Sequence, residues 1–166
     1  MDILITDRLV LRPLVGQDLD DLAPLYAQSI LMQYITGHPL SYDQVRDGLR
    51  QQIMHHEQYG FGFCAVILKA TGAIIGRGGL KPGESPNGIT GELSWLLSDT
   101  YWGRGLATEL GQASIEYGLM NLRLVRIFAT AYRANRASVR VMEKLGMHQV
   151  RVDGDEVEYE VEIRRQ

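Results

Sequence analysis

The sequence predicts a mixed α/β fold, with helices flanking one sheet whose strands run in both directions. Three observations carry this. Apolar residues recur at helical spacing in some stretches and at strand spacing in others, in the order β-α-α-β-β-β-α-β-α-β-β. The strands cluster in the middle and at the end instead of alternating with helices, which disfavours a doubly wound parallel sheet. A chain of 166 residues has the size of one domain, residues 1–166, and can bury a sizeable core.

Arg8 to Pro13 reads as the first strand, with Leu9 and Leu11 on one face and Pro13 ending the ladder. Asp18 to Ile30 carries Leu19, Leu22, Tyr26 and Ile30 at helical spacing. Pro24 lacks a backbone donor and crowds the preceding turn, so this helix is expected to begin near Asp20 or Asp21, with Pro24 in its first turn. Tyr34 to Leu40 reads as a loop broken by Gly37 and Pro39. Ser41 and Gln44 fit a capping box for a second helix, with Asp43 and Asp47 near the positive end of its dipole. Its buried stripe is Val45, Leu49, Ile53 and His56, and Gly60 and Gly62 stop it.

Phe63 to Lys69 is apolar on both alternating faces, as in a central strand covered on each side. Thr71-Gly72 turns the chain into a hairpin partner, Ile74 to Leu80. Lys81 to Gly88 reads as a loop, and Ile89 to Leu97 as the next strand. The long helix that follows has a stripe of Leu106, Leu110, Ala113, Tyr117 and Met120. Val125 to Tyr132 alternates Val125, Ile127, Ala129 and Ala131 on one face. Asn135 to Leu145 is a shorter helix, with Val139, Met142 and Leu145 inward and Gly146 at its C-terminal cap. In the last strand Val157, Tyr159, Val161 and Ile163 alternate with Glu158, Glu160 and Glu162, a charged and solvated face.

Bulk properties exclude several function classes. A net charge of −3 gives no basic field for nucleic acid, although Arg133, Arg136 and Arg140 remain candidate anion contacts. A single cysteine, Cys64, rules out an intrachain disulfide, and its place in an apolar run makes it a poor nucleophile. With neither a signal peptide nor an apolar stretch long enough to span a bilayer, the expected address is the cytoplasm, without a membrane. His55 and His56 are adjacent on a helix and point different ways, and no other His, Cys or carboxylate pattern completes a site, so no metal is expected.

The stretch with most chemistry runs from Trp95 through Thr108. An apolar strand ends, a polar turn follows, and Gly103 and Gly105 lead into the long helix. Glycines there let backbone approach a ligand closely, and a helix start presents N–H groups without intrahelical acceptors at the positive end of the dipole. Such a place binds phosphate. The same pattern also fits a plain tight connection. A dinucleotide fingerprint needs a third glycine where Thr108 stands, and an NTP loop needs a Gly-Lys-Ser/Thr ending. A phosphate-bearing ligand of another kind remains, with ATP or NAD binding as a rival that ligand protection against unfolding would reveal.

Trp102-Gly103-Arg104-Gly105-Leu106-Ala107 resembles the acyl-CoA pyrophosphate loop of the GCN5-related N-acetyltransferase (GNAT) superfamily, whose pattern is Gln/Arg-x-x-Gly-x-Gly/Ala. Three further stretches place the resemblance in the branch of the ribosomal-protein N-terminal acetyltransferases. They are Thr6-Asp7-Arg8-Leu9-Val10-Leu11-Arg12-Pro13, the run from Tyr101 to Glu109, and Asn135 through Ser138 to Glu143-Lys144-Leu145-Gly146. The four stretches occur in order over nearly the whole chain. The resemblance implies a mostly antiparallel sheet of about seven strands with a splayed CoA-binding cleft and flanking helices. It implies pyrophosphate on the backbone N–H groups from Gly103 to Ala107, next to Trp102 and Thr108 and helped by Arg104. Trp95, Leu96 and Leu97 would then splay at a bulge and pair through their backbone with the pantetheine arm, with the Leu97 N–H as oxyanion donor. Asn135, a helix N-cap that the family also uses as a CoA contact, and Ser138, near the thiol, complete the CoA set. Tyr34 and His38 lie in the loop that shapes the acceptor site in this family.

Amine acylation needs a neutral amine and a sink for its proton. Glu92 is the candidate base. It lies mid-strand on the face of Ser94 and Leu96, where desolvation raises a carboxyl pKa, and it can act through water. The competing assignment is a solvent-facing residue on a wet sheet face. Two positions depart from the family: Trp102 replaces the superfamily's Gln/Arg, as is usual in this branch, and Met142 occupies the place of a Tyr general acid, leaving Ser138 or water to return the proton. The chain is therefore expected to be an acetyl-CoA-dependent N-acetyltransferase acting by direct attack in a ternary complex, as a monomer or homodimer. Its acceptor would be a protein N-terminal α-amine or a small-molecule amine, chosen by the loops Met32 to Leu40 and Lys81 to Gly88. The alternative is a non-catalytic acyl-CoA-binding or regulatory module on the same fold.

Overall fold

The computed structural model describes residues 3–162, so Ile163 of the expected last strand lies outside the described residues. In chain order the strands are β1 Leu4–Ile5, β2 Leu9–Pro13, β3 Phe63–Leu68, β4 Ile74–Ser85, β5 Gly88–Leu97, β6 Arg126–Tyr132, β7 His148–Asp153 and β8 Glu156–Glu160. The helices are α1 Leu19–Tyr26, α2 Ser29–Met32, α3 Tyr42–Tyr59, α4 Leu106–Met120 and α5 Arg136–Lys144. The eight strands form one sheet in the order β1-β2-β3-β4-β5-β6-β8-β7, and only the β5–β6 pair is parallel.

Alternation along the strands feeds two cores. Leu9, Leu11, Cys64, Val66, Leu93 and Leu97 pack with Leu106, Leu110 and Ile115 of α4 and with Val139 and Met142 of α5. Phe63, Ala65 and Leu96 pack on the other face against Leu22, Leu31, Met32, Val45 and Leu49 of α1–α3. Adjacent residues of β3 thus serve opposite cores, which is why its sequence is apolar throughout.

The predicted caps of α3 form: the Ser41 hydroxyl accepts from the Gln44 N–H, Gln44 reaches back to the Ser41 N–H, and Gly60 ends the helix at φ 75°. Elsewhere the boundaries move. A short strand, β1, precedes the predicted first one. A 3₁₀ turn, Gly16–Asp18, hands directly into α1, which starts at Leu19, so Pro24 lies in its second turn. The helix ends soon afterwards at Tyr26, and Ile30 belongs to the separate turn α2. The segment expected as a loop from Lys81 to Gly88 is mostly hairpin, with β4 pairing β5 from Gly76–Leu97 to Ser85–Gly88. Pro82 is tolerated there because β3 stops pairing at Gly79, leaving that edge of β4 without a partner to miss the N–H.

Along α4, Leu106, Leu110 and Tyr117 are buried as expected, Met120 is 79% exposed, and Gly111, Ser114, Ile115 and Gly118 widen the buried face. Glycines bring this helix close to its neighbours: a Cβ on Gly118 would meet Ile127 and Leu80 methyls at 2.8 Å. In β8 the glutamates are paired rather than solvated. Arg126 binds both Glu158 and Glu160, and Arg151 also reaches Glu158 at 3.3 Å. Among the described residues no helix is long and apolar enough to cross a membrane.

Candidate functional site

A cleft opens where β5 and β6 part. Their parallel ladder holds only from Thr90–Arg126 to Glu92–Phe128, after which the two strands continue without pairing to each other. The β4–β5 ladder stays in register throughout, so β5 splays without the expected bulge. Divergence alone exposes the strand edge. Direction along β5 follows from its β4 side: the Leu96 and Ser94 carbonyls face Gly76 and Gly78, where added Cβ atoms would come within 2.0 and 3.1 Å, and the Ser98 N–H donates to the Ile75 carbonyl. By strand alternation, Leu93, Trp95 and Leu97 therefore turn their backbone groups toward the cleft. Leu96 does not; its side chain is buried in the core beneath α1–α3.

The turn after β5 closes one end of the cleft. A 3₁₀ turn, Asp99–Tyr101, leads to Trp102, whose indole N–H donates to the Leu97 carbonyl at 2.9 Å. Trp102 thereby straps the turn to the strand end and uses one of the carbonyls facing the cleft. Gly103 and Gly105 take left-handed backbone, φ 72° and 77°, a conformation glycine adopts without strain. Gly105 is the N-cap of α4 and no side chain caps this helix, so the Leu106, Ala107 and Thr108 N–H groups have no intrahelical acceptor. They lie at the positive end of a helix of 15 residues, on the cleft wall.

Glu109 anchors this turn to the start of the sheet. Its carboxylate accepts from the Thr6 hydroxyl at 2.5 Å, the Arg8 amide at 2.8 Å and the Arg8 Nε at 2.7 Å, while Arg8 Nη1 donates to the Arg104 carbonyl at 2.8 Å. Desolvation pushes the Glu109 carboxyl up, yet the hydrogen bonds from Thr6 and Arg8 outweigh it and hold the pKa below the ordinary value.

The far wall comes from β6 and α5. Asn135 caps α5, its side-chain oxygen accepting from the Ser138 N–H at 3.2 Å, and both residues line the cleft. Arg136, Arg140 and Lys144 follow along the same wall. Met142 is fully buried in the core, so no protic side chain faces the cleft from that position. From the opposite side Tyr34 reaches across: its hydroxyl contacts the Ala134 carbonyl at 3.5 Å, and its ring lies 6.3 Å from that of Tyr132. The enclosed space is about 720 Å³, the size of a small-molecule site.

Glu92 sits on the cleft floor with its side chain 31% exposed. Thr130 donates to it at 3.3 Å, and the Lys81 ammonium is 3.9 Å away. The cleft also collects Trp95, Leu96, Leu97, Trp102, Gly103, Gly105 to Thr108, Asn135, Ser138 and Tyr34. Two sequence candidates lie elsewhere. The Arg104 guanidinium stacks 5.5 Å from the Tyr101 ring and faces a separate hollow beside Arg8 and Lys69, because Gly105 turns the chain between it and the cleft. His38 is exposed, its ring against the Pro39 carbonyl, and does not line the cleft. Cys64 is buried between the sheet and α4, and burial pushes its thiol up to about 12.

Sequence reasoning missed Arg77 on the cleft floor, the Trp102 strap and the Glu109 anchor. The partners of Arg77 and Glu109 are distant in sequence, and the strap from Trp102 to the nearby Leu97 carbonyl depends on how the intervening turn folds, neither of which spacing shows. Among the described residues no cluster of His, Cys, Asp and Glu could hold a metal ion.

Comparison with known proteins bears on these groups. Residues 8–148 match the acetyltransferase (GNAT) domain model. The YkkB protein of Bacillus subtilis (strain 168) is 30% identical over 146 residues, 87% of this chain and 84% of that protein. The crystal structure of an acetyltransferase from Agrobacterium tumefaciens superimposes with a TM-score of 0.84 at 26% identity, covering 98% of this chain and 95% of that one. The ribosomal L7/L12 α-N-protein acetyltransferase RimL, solved in complex with coenzyme A, shares the fold at a TM-score of 0.82 and 16% identity, covering 96% and 97%.

Proposed function

We propose, from the premise that this chain belongs to the acetyltransferase (GNAT) family and is an acetyl-CoA-dependent N-acetyltransferase, that it acetylates a primary amine by direct attack within the β5–β6 cleft. The observation that carries the reading is the conjunction of two unsatisfied backbone arrays on one cleft. One is the edge of β5 beyond its ladder with β6, from the Leu93 carbonyl through Trp95 to the Leu97 N–H, the Leu97 carbonyl being held by Trp102; the other is the uncapped start of α4. A pantetheine arm carries amide groups that can complete the first, in the manner of an added strand. A pyrophosphate suits the second. Arg136, Arg140 and Lys144 on the α5 wall add positive charge for the phosphates.

In the proposed reaction the amine nitrogen attacks the thioester carbonyl carbon, a C–N bond forms, and the C–S bond then breaks. The Leu97 N–H, aimed at the cleft, donates to the carbonyl oxygen as it gains charge. Glu92 takes the amine proton through water, positioned by the Thr130 hydroxyl and faced by Lys81. With Met142 in the core, the thiolate recovers a proton from water or from the Ser138 hydroxyl on the cleft wall. Trp102 acts indirectly, by holding the turn against the end of β5.

The test is thiol release from acetyl-CoA with a panel of small amines and peptides of varied N-terminus. The reading predicts amine-dependent release that Glu92→Gln cuts strongly while acetyl-CoA still binds. Acetyl-CoA binding without release for any amine would favour a non-catalytic acyl-CoA module.

A further inference from the structure

We propose that the acceptor is a small amine that also carries a carboxylate, an amino-acid-like molecule, and that Arg77 is the residue that selects it. This rests on the acetyltransferase reading and names its acceptor class.

Arg77 lies on β4 opposite Leu96 of β5 and lines the cleft, with only 8% of its surface exposed. It is held firmly. Its Nε donates to the Tyr26 hydroxyl at 2.9 Å, its Nη1 donates to the Ser94 hydroxyl at 3.0 Å, and the guanidinium stacks 4.3 Å over the Phe63 ring. These partners fix the plane of the fork, but none bears a negative charge. Among the described residues no carboxylate pairs with Arg77. The other inward arginines differ: Arg12, more exposed, has Asp18 at 2.6 Å, and Arg126 has Glu158 and Glu160.

A buried cation without a counter-charge is costly unless an anion arrives to meet it. The guanidinium has five N–H donors in a planar fork that matches a carboxylate. An anionic ligand at this point is not the CoA phosphates, whose place is the start of α4: α4 packs on one face of the sheet, whereas Arg77 shares the opposite face with Leu96, beneath α1–α3. On the same sheet face as Arg77, register puts Ser94 next and Glu92 beyond it, paired across the ladder with Lys81. Ser94 and Glu92 are two residues apart, about 7 Å along a strand. The floor thus offers an acidic group for the amine and, one step along, a cationic fork for a carboxylate. A peptide N-terminus followed by a neutral residue would leave the fork unmatched.

The experiment uses the full-length protein with acetyl-CoA and free L-amino acids, each beside its carboxamide, together with peptides beginning in serine or alanine. The expected result is that the acids exceed their carboxamides in kcat/KM by about 10- to 100-fold, the worth of a charge-assisted hydrogen bond. Arg77→Met should collapse that ratio, chiefly through KM, and Arg77→Lys should restore part of it. Thermal unfolding of both variants separates loss of recognition from loss of fold. Equal use of acid and carboxamide by the unmodified protein overturns the inference, as does a preference for the peptides or an equal loss on both members of each pair. Should no amine release thiol, the acetyltransferase reading itself fails. Calorimetric titration of the acetyl-CoA-loaded protein with acid and carboxamide then still decides the carboxylate preference, since equal or absent binding of both refutes it.

Discussion

Replacing Glu109 with glutamine should loosen the α4 turn from the start of the sheet, and the size of the effect can be worked from four contacts. One carboxylate oxygen accepts from the Thr6 hydroxyl and the Arg8 amide, and the other from the Arg8 guanidinium, through Nε and Nη2 at 2.7 Å each. A glutamine amide offers one oxygen, so its NH₂ must face either the Thr6 side or the guanidinium, both of which are donors there. Charge-assisted bonds contribute about 1.5–3 kcal/mol each when shielded. Glu109 is 17% exposed but Arg8 is 48% exposed and can rehydrate, so a total near 2 kcal/mol follows. For a domain of this size that is a fall of about 4–8 °C in Tm.

The pH dependence has a definite sign. The folded carboxyl titrates below its ordinary value of 4.5, so its stabilisation is fully present above that value and is lost as pH falls through the lower folded one. Thermal melts of wild type and Glu109→Gln should therefore differ by a constant amount from neutral pH down toward pH 4.5, and converge in more acid solution. Equal Tm at neutral pH, or a gap that persists unchanged in acid, would refute the assignment of Glu109 as the anchor.

Three further outcomes are expected. Glu92→Gln should lower kcat by about 10²- to 10⁴-fold, the usual contribution of a general base, with acetyl-CoA affinity by calorimetry little changed. Gly105→Ala should cost about 1–2 kcal/mol by thermal denaturation, because the left-handed backbone is strained for alanine, whereas the new Cβ meets only Arg8 Nη2 at 3.6 Å. Cys64, fully buried and pushed up to about 12, should react with iodoacetamide about a thousandfold more slowly in the native protein than in denaturant.

Much of this arrangement was legible in the sequence because it depends on local chemistry. The Ser41–Gln44 capping box, the positive-φ glycines at 103 and 105, and the doubly apolar β3 each declare themselves within a few residues. What the sequence hid depends on pairing. Pro82 looks like a loop residue until β3 is seen to stop at Gly79, leaving that edge of β4 free. The buried face of α4 is wider than its apolar stripe because glycines 111 and 118, invisible to a hydrophobic pattern, make close contacts there. Arg104 looks like a phosphate ligand, yet the turn carries it to the other side of Gly105. Arg77 drew no notice in a strand of small residues, and only the fold shows that it is buried without a counter-charge.

The central claim is that acetyl-CoA lies along the exposed edge of β5 and ends on the α4 turn. It is tested most directly by titrating isotopically labelled protein with acetyl-CoA and following the backbone amide resonances. The account predicts that the Trp95, Leu97 and Gly103–Thr108 amides shift together at one affinity, while Ser94 and Leu96, whose amides face β4, move little. Shifts concentrated instead around Arg8, Lys69 and the Arg104 side chain, or absent from Trp95 and Leu97, would contradict it.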